Sequence, residues 1–114
     1  MSWKIKYLPE VEKDLKQLGG NERILVQKAI KKVQANPLPV AEGGHGKPLG
    51  NKNGNDLSGF LKIKLRSAGI RIVYKLIRTE TEMLIVVVGA RADDEVYESA
   101  HRRSEKHDLS CIDN

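Results

Sequence analysis

The first third of the chain carries one strand pattern followed by two helical patterns. Residues 3–7 alternate apolar and cationic side chains, which predicts a half-buried β-strand. Pro9 suits the first turn of a helix, and apolar residues spaced by three and four follow it until Gly19-Gly20 ends that helix. A second helical stripe starts at Asn21, interpreted as the N-cap, and runs to Asn36-Pro37. These patterns predict a strand and then two antiparallel helices.

The second half of the chain is typical of a small antiparallel sheet. Residues 60–66, 70–78 and 82–89 are rich in β-branched side chains, and short polar or glycine-containing breaks separate them. They predict a meander of three strands. Asp93-Asp94-Glu95 then places negative charge at the start of a last helix, as the helix dipole favours. Between the two halves, the glycine- and asparagine-rich residues at about 37–57 predict a long surface loop.

Together these elements predict an α+β fold with an N-terminal strand, a two-helix hairpin, a three-strand antiparallel meander and a C-terminal helix. A chain of 114 residues is too short for two independent cores, so we expect a single domain over residues 1–106. Residues 107–114 are expected to form a frayed tail. With 39% hydrophobic and 31% charged residues, the composition excludes a disordered chain and a membrane protein.

The expected compartment is the cytoplasm. The longest strongly apolar run, residues 83–88, is far shorter than the roughly 20 residues of a membrane helix. No apolar segment typical of a signal peptide follows the first residues. The single cysteine, Cys111, cannot form an internal disulfide. We therefore expect a protein that does not contact a membrane.

Cationic side chains line one face of the predicted hairpin. Because side chains alternate along a strand, Lys62, Lys64 and Arg66 share a face and the apolar residues between them share the other. The next strand adds Arg71 and Lys75. The nineteen residues that include both strands contain six Lys and Arg and no acidic residue, whereas a face meant only for solubility would mix signs. This pattern, with the net charge of +5, favours an anion site over an ordinary solvated face.

Other motifs do not fit known chemistry. Gly46-Lys47 lacks the earlier glycine and the following Ser or Thr of a phosphate-binding loop. The three histidines, His45, His101 and His107, have no metal-ligand spacing, so we expect no metal site and no cofactor. The cationic strands contain no histidine, and Lys, Tyr and Arg have ordinary pKa values of about 10 or above. Clustered positive charge would lower the pKa of a lysine there and help it act as a base.

The cationic hairpin resembles the central hairpin of the RelE toxins, which belong to the RelE/ParE superfamily of toxin–antitoxin modules. Residues 61–74 carry this likeness, and Val88-Gly89-Ala90-Arg91 with Glu95-Val96-Tyr97 resembles the last strand and the tyrosine that follows it. The resemblance spans about residues 3–103. It implies the toxin of a type II module, a ribosome-dependent endoribonuclease that cuts messenger RNA at A-site codons. It also implies a RelB-like antitoxin partner, held in a hetero-oligomer.

The resemblance also implies the site residues. The positions that match the functional residues of the family are Lys62, Lys64, Arg71, Arg91 and Tyr97. The expected roles are phosphate binding and a candidate general base for the two lysines, and stabilisation of the transition state for Arg71. Arg91 would support the leaving group, and Tyr97 would stack on or deprotonate the nucleotide. The expected RNA-binding residues are Lys62, Lys64, Arg66 and Lys75.

Two alternatives remain open at this stage. A ParE-like toxin on the same fold would inhibit DNA gyrase without catalysis, although such members generally lack this combined cationic set. A nucleic-acid-binding module without catalysis would also carry a cationic face. The chain departs from the family at Ala90, where some members carry another cation, and in the longer segment between the helices and the meander.

Overall fold

The computed structural model describes residues 3–52, 55–90 and 93–109. Three helices and seven strands are formed within these ranges. In chain order they are β1 (Lys4–Tyr7), α1 (Pro9–Lys16), α2 (Gly20–Gln34), β2 (Lys47–Pro48), β3 (Asn51–Lys52), β4 (Asn55–Asp56), β5 (Phe60–Leu65), β6 (Ile70–Ile77), β7 (Glu82–Gly89) and α3 (Asp93–Lys106). The predicted α+β fold, with its N-terminal strand, helical hairpin, meander and last helix, is confirmed.

Five of the strands form one sheet in the order β1-β7-β6-β5-β2. Strand β1 runs parallel to β7, and the other neighbours are antiparallel. The pair β3–β4 forms a separate two-stranded sheet. β6 therefore lies at the centre, and its burial on both faces explains the almost continuous apolar sequence of residues 72–77.

Helices cover both faces of this sheet. Tyr74 lies on one face of β6, and its hydroxyl donates a hydrogen bond to the carbonyl of Pro37, just beyond α2, at 2.8 Å. Lys62 pairs with Val73, which precedes Tyr74 and so lies on the opposite face. On that opposite face Lys62 contacts Tyr97 of α3. Helices α2 and α3 therefore pack on opposite sides of the sheet, and the cationic side chains share a face with α3.

The start of α2 differs from the prediction by two residues. The N-cap is Gly19 and not Asn21, because the Glu22 side chain accepts a hydrogen bond from the Gly19 N–H at 3.2 Å. This is the glutamate half of a capping box, which places a carboxylate three residues after the N-cap. Further along α2, Val26, Ile30 and Val33 are buried at helical spacing.

The described part of the segment 37–57 is not a simple surface loop. Lys47 and Pro48 form β2, which pairs with β5 at the edge of the main sheet. Leu49 and Leu57 are 4% and 0% exposed and belong to the hydrophobic core. Burial of these apolar side chains holds the segment against the sheet, which the glycine-rich sequence alone does not indicate.

The chain also remains ordered past the end of α3. His107, assigned to a frayed tail from the sequence, contacts the Glu10 carboxylate at 3.0 and 3.1 Å, and Leu109 is 3% exposed. This corrects the expectation for residues 107–109; residues 110–114 lie outside the described part. No helix within the described ranges is long and apolar enough to cross a membrane.

Candidate active site

The β5–β6 hairpin gathers the predicted cations on one surface, named here the cationic face and formed by Lys62, Lys64, Arg66 and Arg71. Lys64 pairs directly with Arg71 across the two strands, so their side chains rise side by side. Arg66 follows the last residue of β5 and is exposed. The turn closes through Gly69, whose φ of +65° favours glycine. The hairpin thus brings four cations together, as the sequence predicts.

Lys64 is the cation whose protonation the site perturbs most clearly. Partial desolvation disfavours the charged ammonium, and the positive charges of Arg71, Lys62 and Arg66 repel it further. Together these effects lower the pKa of Lys64 below its ordinary value of 10.5. The direction agrees with the sequence-based expectation that clustered cations ease deprotonation of a lysine.

Tyr97 reaches the cationic face from the first turns of α3. The Lys62 ammonium donates a hydrogen bond to the Tyr97 hydroxyl at 3.4 Å, and its nitrogen lies 5.9 Å from the ring centroid. The ring is only 4% exposed, because α3 packs it against the sheet. In this conformation Tyr97 orients Lys62, and its ring has no open face on which a base could stack.

Arg71 is half-buried and anchored at the hairpin turn. Its Nη1 donates a hydrogen bond to the Gly69 carbonyl at 3.1 Å. This contact fixes one end of the guanidinium beside Lys64, which directly opposes Arg71 in the sheet. A fork of donors held in this way suits the oxygens of a phosphate group.

Lys75 does not belong to the exposed cationic face. It is 2% exposed, and its ammonium lies 5.1 Å from the centroid of the Phe60 ring, its partner across the hairpin. The expectation that Lys75 binds RNA is therefore wrong for this conformation. Lys75 and Arg71 lie on the same face of β6, but that face is covered around Lys75 and open around Arg71.

Arg91, the remaining predicted site residue, lies outside the described residues. Within the described ranges no group of three His, Cys, Asp or Glu side chains lies close enough to hold a metal ion. The chemistry of the described site is thus that of cationic and phenolic side chains.

Lys47 extends the cationic face onto β2, and His45, two residues before it, lines the neighbouring cleft. Lys47 pairs with Lys62, so both side chains lie on the same side of the sheet. A cleft of about 450 Å³ is lined by His45, Lys47 and residues 62–67 of the hairpin. Sequence reasoning missed both residues, because their place depends on the pairing of β2 with β5.

A buried ion pair secures α3 against the sheet. Beyond the last β1–β7 pair, at Ile85, no strand of the described residues pairs with the outer edge of β7. There Val88 N–H donates to Asp14 of α1 at 3.0 Å, and Arg103 of α3 donates to the Val86 carbonyl at 2.9 Å. Arg103 also holds the Asp14 carboxylate through two hydrogen bonds of 2.7 and 3.0 Å. This pair completes the edge of β7 and fixes the helix that carries Tyr97.

Comparison with known proteins gives clear relatives. The mRNA interferase toxin RelE of Escherichia coli is 32% identical over 91 residues, which cover 80% of this chain and 85% of the relative. The RelE of Shigella flexneri matches equally well. No protein-family model matches the chain.

Solved structures give the same result. A free mutant E. coli RelE toxin superposes with a TM-score of 0.66 at 27% identity, covering 90% of this chain and 98% of that one. The toxin in the intact E. coli RelBE toxin–antitoxin complex superposes with a TM-score of 0.59 at 26% identity, covering 77% of this chain and 95% of that one. The relatives are thus matched over nearly their whole length.

Proposed function

Because the chain belongs to the RelE family of mRNA interferase toxins, we propose that it cuts messenger RNA in the A site of the translating ribosome. It is the toxin of a type II toxin–antitoxin module, and its cleavage of messages stops translation. The observation that carries the proposal is the cationic face, where Lys62, Lys64 and Arg71 meet on one hairpin with Tyr97 against them.

The reaction attacks one phosphate of the RNA backbone with the neighbouring 2′-hydroxyl. The 2′-oxygen bonds to phosphorus as its proton passes to a base, and the bond from phosphorus to the 5′-oxygen breaks. That oxygen takes a proton from an acid, which leaves a 2′,3′-cyclic phosphate on one fragment and a 5′-hydroxyl on the other. Charge builds on the phosphate oxygens in the transition state, so fixed cations next to them accelerate the reaction.

The described residues divide this work between them. Lys62 and Arg66 bind backbone phosphates, and Arg71 stabilises the charge that develops on the reacting phosphate. Lys64 lies beside Arg71 and is the lysine best suited to proton transfer, because its pKa is lowered toward neutral pH. Tyr97 holds Lys62 in place. Support of the leaving group is proposed for Arg91.

Dependence on the ribosome follows from the weakness of this site on its own. The cleft is shallow and cationic, and lysine, arginine and tyrosine are poor acid–base groups at neutral pH. Much of the activation barrier must then be lowered by positioning: the 2′-hydroxyl, the phosphorus and the 5′-oxygen have to be held nearly in line. The A site offers a codon in a fixed conformation, and the net charge of +5 assists entry into that RNA-walled space.

A RelB-like antitoxin is the proposed partner of the chain, since E. coli RelE is known in complex with RelB. An antitoxin segment could carry acidic residues onto the cationic face or displace α3 around Tyr97. Both routes would remove the arrangement in which Lys62 and Tyr97 are held together. In either case the bound toxin would be unable to cut.

The experiment that tests this function combines growth inhibition with mapping of message ends. Arg71→Ala and Tyr97→Phe should abolish growth inhibition and in-frame cleavage in cells, because the first removes the fork of donors and the second removes the hydroxyl that accepts from Lys62. Circular dichroism should show an unchanged fold.

Matched variants away from the cationic face serve as controls. Arg23→Ala lies at an exposed position on α2, and Tyr7→Phe alters a tyrosine on β1 that is 47% exposed. Both should remain fully toxic. Full toxicity of Arg71→Ala and Tyr97→Phe would contradict the proposed site, and DNA breaks linked to gyrase would favour a ParE-like activity instead.

A further inference from the structure

We propose that Lys47 anchors a second phosphate site, which binds the message phosphate next to the one that is cut. This inference rests on the proposed function and adds a residue of β2 to the RNA-binding surface. Lys47 has no part in the reaction steps assigned above, so its contribution can be measured separately from them.

Lys47 lies directly across from Lys62 at the edge of the sheet. The two residues are a register pair of β2 and β5, so their Cβ atoms are roughly 5 Å apart on the same side of the sheet. Lys47 is the first residue of β2, and its side chain is exposed. The cleft of about 450 Å³ has both lysines in its lining. An RNA strand can therefore reach both ammonium groups from solvent.

The Lys47–Lys62 pair places like charges opposite each other, an arrangement that destabilises a sheet. Another lysine at a sheet edge, Lys6 of β1, lies beside the Glu82 carboxylate at 3.4 Å. Among the described acidic residues none pairs with Lys47 or Lys62, and Lys62 instead donates to the Tyr97 hydroxyl. A bound anion would neutralise the two ammonium groups, and an RNA phosphate is the anion that the proposed function supplies.

This position is separate from that of the reacting phosphate. Lys64 pairs with Arg71 of β6, and β6 lies on the other side of β5 from β2. The backbone of Lys47 is about 12 Å from that of Arg71, two strand spacings across the sheet and two residues along it. One phosphate group cannot span this row. The RNA backbone therefore crosses the sheet diagonally, with one phosphate at Lys64 and Arg71 and its neighbour at Lys47 and Lys62.

This placement makes Lys47 a binding residue and not a catalytic one. The neighbouring phosphate neither gains charge nor loses a bond in the reaction, so a contact to it is equally strong before and during the chemical step. Loss of such a contact weakens binding and leaves the rate of the bound complex unchanged. Arg71 differs, because it faces the phosphate on which charge develops.

The first arm of the test measures single-turnover cleavage on ribosomes that carry one A-site codon, with the toxin concentration varied. Lys47→Ala should raise the toxin concentration at half-maximal rate on the order of 10-fold, as loss of one charge-assisted contact implies, and should keep the maximal rate. Lys47→Arg retains the charge and should recover most of the affinity. Lys47→Gln repeats the measurement if circular dichroism shows that the alanine variant folds poorly.

The second arm identifies the phosphate. Two messages carry a neutral methylphosphonate linkage, one just before and one just after the scissile phosphate. On one of them the wild-type toxin should lose about 10-fold in affinity, whereas Lys47→Ala should lose nothing further because its contact is already absent. Lys28→Ala is the control: this exposed lysine lies on α2, on the opposite side of the sheet, and its variant should show the full wild-type response to the neutral linkage.

An unchanged half-maximal concentration in Lys47→Ala would overturn the inference, and so would a fall in its maximal rate alone. Equal losses of wild type and Lys47→Ala on both neutral messages would also overturn it, since Lys47 would then contact ribosomal RNA or another group. In each of these cases, cleavage by the wild-type toxin would leave the proposed function intact. Failure of the wild-type protein to cut would instead overturn the proposed function.

Discussion

Removal of the Asp14 carboxylate should destabilise this protein more than loss of any exposed ion pair. Asp14 is 6% exposed and accepts hydrogen bonds from two Arg103 nitrogens and from Val88 N–H. Asp14→Ala leaves the guanidinium partly buried, with the Val86 carbonyl as the described acceptor that remains, and it also strips Val88 of its acceptor. Asp14→Ala thus removes a contact at the edge of β7 and a contact that holds α3.

The magnitude follows from the burial of the pair. Loss of one partner of a buried ion pair costs about 3–5 kcal/mol, and the 17% exposure of the Arg103 side chain favours the lower value. The entropy of unfolding of a 114-residue chain is about 0.24 kcal/mol/K near 60 °C. A loss of about 3 kcal/mol should therefore lower Tm by about 12 °C.

Chemical and thermal denaturation followed by circular dichroism would measure this loss. Glu12→Ala is the matched control, because Glu12 pairs with Lys16 on the same helix at 3.8 Å, with 78% and 72% of the two side chains exposed. That exposed pair should contribute less than about 0.5 kcal/mol. The double variant Asp14→Ala/Arg103→Ala should lose less than the sum of the single variants, since each single change leaves a partner behind. A loss for Asp14→Ala within about 1 kcal/mol of Glu12→Ala would refute this account of how α3 is held.

Three further outcomes are expected. Although burial raises the pKa of Glu10, hydrogen bonds from its backbone, His107 and Lys106 lower it to about 2, so this folded-state pKa lies below the ordinary 4.5. The resulting stabilisation is present above about pH 4.5 and is lost as the pH falls toward 2. Over this pH range the free energy of unfolding of Glu10→Gln should therefore fall less than that of the wild-type protein. Gly46→Ala should lower Tm, because its methyl meets the Tyr74 hydroxyl, and Gly46→Ala/Tyr74→Phe should recover part of the loss. In hydrogen exchange, antitoxin binding should change the protection of residues 60–75 or 95–103; unchanged protection in both would exclude the two proposed routes of neutralisation.

The hairpin could be predicted because its signal is local. Period-two alternation places Lys62 and Lys64 on one face, and Arg71 follows after a glycine turn that allows only a tight reversal. The same parity argument failed for Lys75. Alternation identifies the face of a strand but not how far along it the covering elements extend, and the Phe60 end of the hairpin is closed.

The rest of the site depends on contacts between distant parts of the chain. Asp14 and Arg103 are 89 residues apart, and neither has a local pattern that indicates burial or pairing. Lys47 lies in a glycine-rich segment that resembles a loop, and its pairing with Lys62, which brings it to the cleft, joins two separate parts of the chain. The start of α2, by contrast, was predictable from the sequence. Glu22 lies three residues after Gly19, which is the spacing of a capping box.

Comparison of naked and ribosome-bound messenger RNA tests the central claim most directly. The same message is incubated with the purified toxin alone and in a translation reaction at equal toxin concentration, and new 5′ ends are mapped by primer extension. The account predicts cuts in the translated message only, in frame and within A-site codons, because the cationic face needs a backbone held in line. Efficient cutting of the naked message would show that the site is self-sufficient and would contradict the account.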